Sequence, residues 1–162
     1  MLKKVIAIFV VLVAALSFSG CSTTVQKTVA PKSGLVIEDA WIRASEYSAA
    51  AGGMTGVFAK ITNNSDHSIT LIGGSTDAAK MVQTHEVVDG MMQEKKGGIE
   101  IHVGQTVVLE PGGLHVMLMN LTRPIVVGDK VTFTFKFDKS AAQTFELTAK
   151  ESAGGDETYK KK

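Results

Sequence analysis

Val131-Thr132-Phe133-Thr134-Phe135-Lys136-Phe137 is the stretch that decides the fold. Val131, Phe133, Phe135 and Phe137 fall at every second position, with Thr132, Thr134 and Lys136 between them. Successive side chains of a strand point to opposite faces, so a period of two describes a strand with one buried face. Moving outward, Phe145, Leu147 and Ala149 alternate with Thr144, Glu146 and Thr148, and Val57, Ala59 and Ile61 form another such face.

Turn residues punctuate these runs at Asn63-Asn64-Ser65-Asp66, Gly73-Gly74, Asp89-Gly90, Gly97-Gly98, Pro111-Gly112-Gly113, Gly128-Asp129 and Asp138-Lys139. Roughly eight strands at this spacing between Gly34 and Lys150 predict an all-β domain, an antiparallel sandwich of Greek-key type. No stretch has the period of a long helix, and Ser48 to Gly53 is too rich in small residues to assign. The alternating faces supply core enough for one domain of this size without a disulfide.

The N-terminus reads differently. Lys3 and Lys4 precede an unbroken apolar run of 12 residues, Val5 to Leu16. As a helix that run spans about 18 Å, against a hydrocarbon core of about 30 Å, so it is a secretory h-region rather than a membrane span. Small residues then lead to Cys21, the only cysteine. Phe18 to Cys21 resembles a bacterial lipobox, in which the signal is removed before the cysteine and the cysteine is acylated. The resemblance implies a signal peptide over residues 1–20 and a lipid on Cys21 that tethers the chain to a membrane outside the cytoplasm; two or more acyl chains make a stable anchor. Residues 21–33 are polar and read as a flexible linker. The domain follows over 34–150, and the lysine-ended tail 151–162 is expected to be disordered.

Setting aside Lys3 and Lys4, 15 basic residues face 16 acidic ones. Such a domain offers no basic stripe for a phosphate backbone, which excludes nucleic acid as a partner. Neither a nucleophile elbow nor a zincin helix motif is present, so the sequence does not read as an enzyme.

The chemistry lies in sulfur and imidazole. Six methionines follow the initiator: Met54, Met81, Met91, Met92, Met117 and Met119. His85, His102 and His115 stand near them in sequence. Any one of these methionines is more often a core filler than a ligand; the grouping points elsewhere. His115 and Met117 are two apart on a strand after the Pro-Gly-Gly turn, so they share a face. Met119 joins them if the strand stays regular, and Val116 and Leu118 point away. Asp89-Gly90 favours a two-residue type I′ hairpin. That register pairs Val88 with Met91, Val87 with Met92, Glu86 with Gln93 and His85 with Glu94. His85 and Met92 then lie on one face as diagonal neighbours about 7–8 Å apart, and Met91 lies on the other. Two such pairs brought together make a site of two imidazoles and two thioethers. Soft thioethers select Cu(I), and imidazole suits copper generally. Zn(II) prefers thiolate or carboxylate partners, and a blue-copper site needs a cysteine thiolate.

From about Gly34 to Lys150 the sequence resembles the PCu(A)C periplasmic copper chaperones. The resemblance rests on Asp39-Ala40-Trp41-Ile42-Arg43, Thr84-His85-Glu86, Gly97-Gly98-Ile99-Glu100-Ile101, and Pro111-Gly112-Gly113 through His115-Val116-Met117-Leu118-Met119. It implies a cupredoxin-like β-sandwich that binds Cu(I). By position His85 takes the first ligand role, and His115 and Met117 form the His-x-Met pair. Counting back from Gly97-Gly98-Ile99 lands on Met92 for the remaining thioether; the family's usual spacing lands on Lys96. The resemblance also implies delivery of copper to an acceptor protein, in some members the CuA centre of cytochrome oxidase. The competing reading is a structural or adhesive sandwich lipoprotein whose methionines are packing.

Overall fold

The computed structural model describes residues 34–46 and 52–152 and the short strand 158–159. The signal peptide, Cys21, the linker 21–33, most of Ser48 to Gly53 and all of the tail but its first two residues and that strand lie outside the described residues. The described part is all β. Its strands are β1 (Leu35–Arg43), β2 (Met54–Asn63), β3 (Ile69–Ser75), β4 (Ala79–Val88), β5 (Met91–Glu94), β6 (Ile99–Ile101), β7 (Thr106–Leu109), β8 (His115–Leu121), β9 (Lys130–Phe137), β10 (Gln143–Lys150) and β11 (Thr158–Tyr159). Thus ten strands occupy 34–150 where roughly eight are expected. The extra count comes from short strands such as β6 and β7, whose three and four residues carry too little alternation to be read.

Hydrogen bonding runs continuously in the order β11-β5-β4-β8-β2-β1-β10-β9-β3-β6, with β7 also paired to β2. The two halves of this sheet close over one core. Val131, Phe133, Phe135 and Phe137 are all buried in it, as are Val57, Ala59, Ile61, Leu147 and Ala149. The faces marked by alternation are therefore the inner faces. Phe133 and Phe135 meet edge to face with centroids 4.8 Å apart, a favoured aromatic geometry. β1, which pairs with both β2 and β10, is irregular: its register against β2 shifts between Glu38 and Trp41, around Asp39 with φ 53°. A bulge of this kind increases local twist.

The sheet is mixed, which departs from the purely antiparallel expectation. β1 runs parallel to β10, with Trp41, Ile42 and Arg43 opposite Thr148, Ala149 and Lys150, and β11 runs parallel to β5. A parallel pair needs a long crossover, and here nearly the whole domain separates the first strand from the tenth. Alternation along a strand carries no information about the direction of its neighbour.

β8 decides where the site lies. It is central, flanked by β4 and β2, and buried along almost its whole length. Val116 and Leu118 enter the main core. His115, Met117 and Met119 are buried on the opposite, outer face.

Candidate metal centre

The β4–β5 hairpin has the register that Asp89-Gly90 predicts. His85 faces Glu94, Glu86 faces Gln93, Val87 faces Met92 and Val88 faces Met91. Both turn residues have positive φ, 53° at Asp89 and 75° at Gly90, the left-handed pair a type I′ turn demands. Met92 is consequently 8% exposed and Met91 40%. On its other side β4 pairs with β8, which sets His85 directly opposite His115 and Gln83 opposite Met117.

Cross-strand partners share a face, so His85, His115, Met92 and Met117 all project from the outer face of the β5-β4-β8 ribbon. The two imidazole centroids are 5.7 Å apart with ring planes at 47°. With metal–nitrogen bonds of about 2 Å and a ring radius of about 1.2 Å, collinear imidazoles on one ion have centroids roughly 6.4 Å apart. The observed separation fits a bent arrangement. Met92, Met117 and Met119 pack together with Val87 in a small apolar cluster of their own, separate from the main core. Two thioethers thus adjoin two imidazoles, and all four groups are almost wholly buried.

Each ring is oriented by the residue two positions before it in the chain. Nδ1 of His115 lies 2.9 Å from the carbonyl oxygen of Gly113. An acceptor there puts the imidazole proton on Nδ1 and the lone pair on Nε2. His85 Nε2 lies 3.3 Å from Oε1 of Gln83, which favours the lone pair on Nδ1. Burial holds the His85 imidazole below its ordinary pKa of 6.5, and the positive charge of a protonated His115 pushes the same way against the opposing pull of Glu94. His85 is therefore neutral at neutral pH, the state in which imidazole ligates.

An open cleft of ≈ 480 Å³ reaches the site and is lined in part by Arg43, Phe58, Met92, Pro111, Gly112, His115 and Met117. Phe58 packs on Trp41 with centroids 4.5 Å apart and lies 6.3 Å from the His115 ring. Arg43 covers the Phe58 ring at 5.3 Å. Gly56 permits this arrangement: a Cβ there meets Phe58 Cζ at 2.6 Å. Sequence reading did not find Gln83, the Gly113 carbonyl, Phe58 or Arg43. The Gly113 contact is local and was in principle legible, two residues before His115; the others depend on which strands become neighbours. His102 lies apart from this constellation. It is exposed, with Ser68 Oγ 3.2 Å and Glu100 Oε1 3.5 Å from its Nδ1.

Among the described residues no three His, Cys, Asp or Glu side chains converge, and no helix is long and apolar enough to cross a membrane. The side chains gathered on the outer face are uncharged, two soft thioethers and two imidazoles, a combination that could hold copper and is poorly suited to a hard cation.

Residues 35–149 match the family described as "Putative lipoprotein LpqE-like". "Putative lipoprotein Lxx21020" of Leifsonia xyli subsp. xyli (strain CTCB07) is 34% identical over 131 residues, which is 78% of this chain and 76% of that protein. Among solved structures, Cu(I)-DR1885 from Deinococcus radiodurans superposes with a TM-score of 0.61 at 28% identity, covering 78% of this chain and 84% of that one. The copper-bound PCuAC domain from PmoF2 superposes with a TM-score of 0.61 at 23% identity, over 74% of this chain and 94% of the domain; the apo PCuAC domain from PmoF1 gives 0.62 at 21%. At those last two identities the likeness concerns the fold alone. The chain belongs to the LpqE-like lipoprotein family, and its β-sandwich has the fold of the PCuAC domains.

Proposed function

We propose that this protein is an extracytoplasmic carrier of Cu(I), held at a membrane by a lipid on Cys21. The ion is cargo. His85, Met92, His115 and Met117 bind it, and an acceptor protein such as a cytochrome oxidase subunit, at its CuA centre, or an assembly factor receives it. The observation that carries this reading is the β4–β8 register. It sets His85 against His115 at 5.7 Å, beside the buried cluster that holds Met92 and Met117.

The residues divide the work as a carrier requires. His115 and Met117 stand on a seven-residue strand that is buried along almost its whole length, and the Gly113 carbonyl holds the His115 ring. They form the pre-organised half. Met92 stands on a four-residue strand next to a hairpin turn and borders the cleft. An incoming donor from an acceptor can displace that thioether first, so the ion passes by ligand exchange and is never released to water. All four ligands are neutral when bound, and the transfer needs no electron and no enzyme activity.

The test is a Cu(I) competition titration against a chromogenic chelator under reducing conditions. The wild-type chain should hold the ion, and His115→Ala should lose most of the affinity. Equal affinity in wild type and His115→Ala would refute the reading and favour a sandwich lipoprotein whose methionines serve packing.

A further inference from the structure

Five of the six methionines beyond the initiator share the outer face, and the four-ligand set uses only two of them. The same register that sets His85 opposite His115 sets Met81 opposite Met119. On the other side of β8, Met54 stands opposite Met119. Met54, Met119 and Met81 therefore form one row across β2, β8 and β4, two rows along from the histidines. Directly opposed side chains have Cβ atoms about 4.5–5.5 Å apart. Methionine is long and unbranched, so the two outer thioethers can lean inward and meet the third over Met119.

Packing does not account for this row. Met119 is buried, but Met54 and Met81 are 37% and 46% exposed. They bury too little to serve as core fillers, and they flank a thioether that clusters with Met117 and Met92. A surface-facing triad of uncharged sulfur donors in register is chemically a site for a soft monovalent cation.

We infer that Met54, Met81 and Met119 form a second, thioether-only site for Cu(I), through which the ion enters or leaves the His/Met centre. Cu(I) bound there passes inward by exchanging one thioether for another: Met119 gives way to its neighbours Met117 and Met92, and the histidines complete the set. The oxidation state is unchanged throughout. Thioethers carry no proton, so none is displaced at the outer station. The triad stands on its own geometry and does not depend on the four-ligand reading; the relay role does.

The experiment uses the full chain in detergent micelles, titrated with Ag(I) as a redox-inert probe of Cu(I) sites. Stoichiometry is read by calorimetry, and each methionine is followed through its 13C-labelled methyl signal. The expected result is two Ag(I) per chain. One step should move the methyl signals of Met54, Met81 and Met119, and that step should disappear in a Met54→Leu/Met81→Leu variant. Leucine keeps the volume and removes the sulfur, and unshifted methyl signals of Met91, Met92 and Met117 before titration report that the variant is folded. A single equivalent that survives Met54→Leu/Met81→Leu and is lost in His115→Ala overturns the triad and leaves the four-ligand centre standing. A single equivalent with the opposite pattern upholds the triad and overturns the four-ligand centre. Two equivalents in the Met54→Leu/Met81→Leu variant overturn the triad.

Discussion

The hairpin register makes a sharp contrast between two adjacent methionines. Met92 shares the histidines' face and clusters with Met117 and Met119; Met91 points the other way and is 40% exposed. Replacing each with leucine isolates the sulfur from the packing, because the swap conserves volume and costs under about 1.5 kcal/mol of stability even in a core. Removing an outer-shell partner of a metal site typically costs 10–100-fold in affinity, and loss of a direct ligand should cost at least that. Met92→Leu is therefore expected to weaken Cu(I) binding by about 10–100-fold, or roughly 1.4–2.8 kcal/mol. Met91→Leu is a surface change and should stay within about 0.5 kcal/mol of wild type. The loss at Met92 should remain smaller than that of His115→Ala, since Met92 stands on a four-residue strand beside a hairpin turn and His115 on a seven-residue strand with its ring held by the Gly113 carbonyl. Transfer to a competing chelator should become faster in Met92→Leu, because the ligand that must leave is already gone. The assay is Cu(I) competition under reducing conditions, with stopped-flow transfer to the chelator. If Met91→Leu costs more affinity than Met92→Leu, the register in solution is not the one described, and the ligand set must be redrawn with Met91 in it.

Other consequences are separately measurable. The His85 imidazole is held below 6.5 in the folded chain, mainly by burial, so the unfolded chain takes up the proton first as pH falls. Stability of the metal-free protein should therefore drop as pH falls through the ordinary imidazole range, about 6.5. His67 acts with the opposite sign: the Asp66 carboxylate raises its pKa, and its contribution is lost as pH rises, so the urea midpoints belong in a His67→Asn background. An unchanged pH slope in His85→Leu would remove His85 as the cause. A Cβ on Gly74 collides with Phe133 Cζ and meets the Thr134 carbonyl oxygen at 2.7 Å. Gly74→Ala should consequently cost about 1–3 kcal/mol of stability by overpacking; a thermal melt like that of wild type would contradict the close approach of β3 to β9. Cys21→Ser should move the protein out of the membrane fraction or leave an unprocessed precursor, while a chain starting at Gly34 keeps its copper affinity. Loss of binding in that shorter chain would bring the thiol or the linker into the site.

What the sequence determined by itself is what depends on near neighbours along the chain. Period-two alternation marked the buried faces of β9, β10 and β2, because a strand's geometry projects every second residue to the same side. Asp89-Gly90 set the register of β4 on β5, because that dipeptide favours the left-handed pair of a two-residue type I′ turn. The two-residue spacing of His115 and Met117 placed both on one face for the same local reason. The lipid on Cys21 remains a reading of sequence alone, since that residue lies outside the described part of the structure. Tertiary structure decided the rest. Both faces of β8 are apolar in sequence, so no pattern says which one enters the core and which one carries the site. The pairing of β4 with β8 sets His85 against His115, and the pairing of β8 with β2 completes the row of Met54, Met119 and Met81. Those partners lie tens of residues apart, and they are selected by closure of the whole core and not by the residues of either strand. The parallel course of β1 beside β10 has the same origin: hydrogen-bonding groups are identical on every strand, so the direction of a neighbour is fixed only when the entire sheet packs.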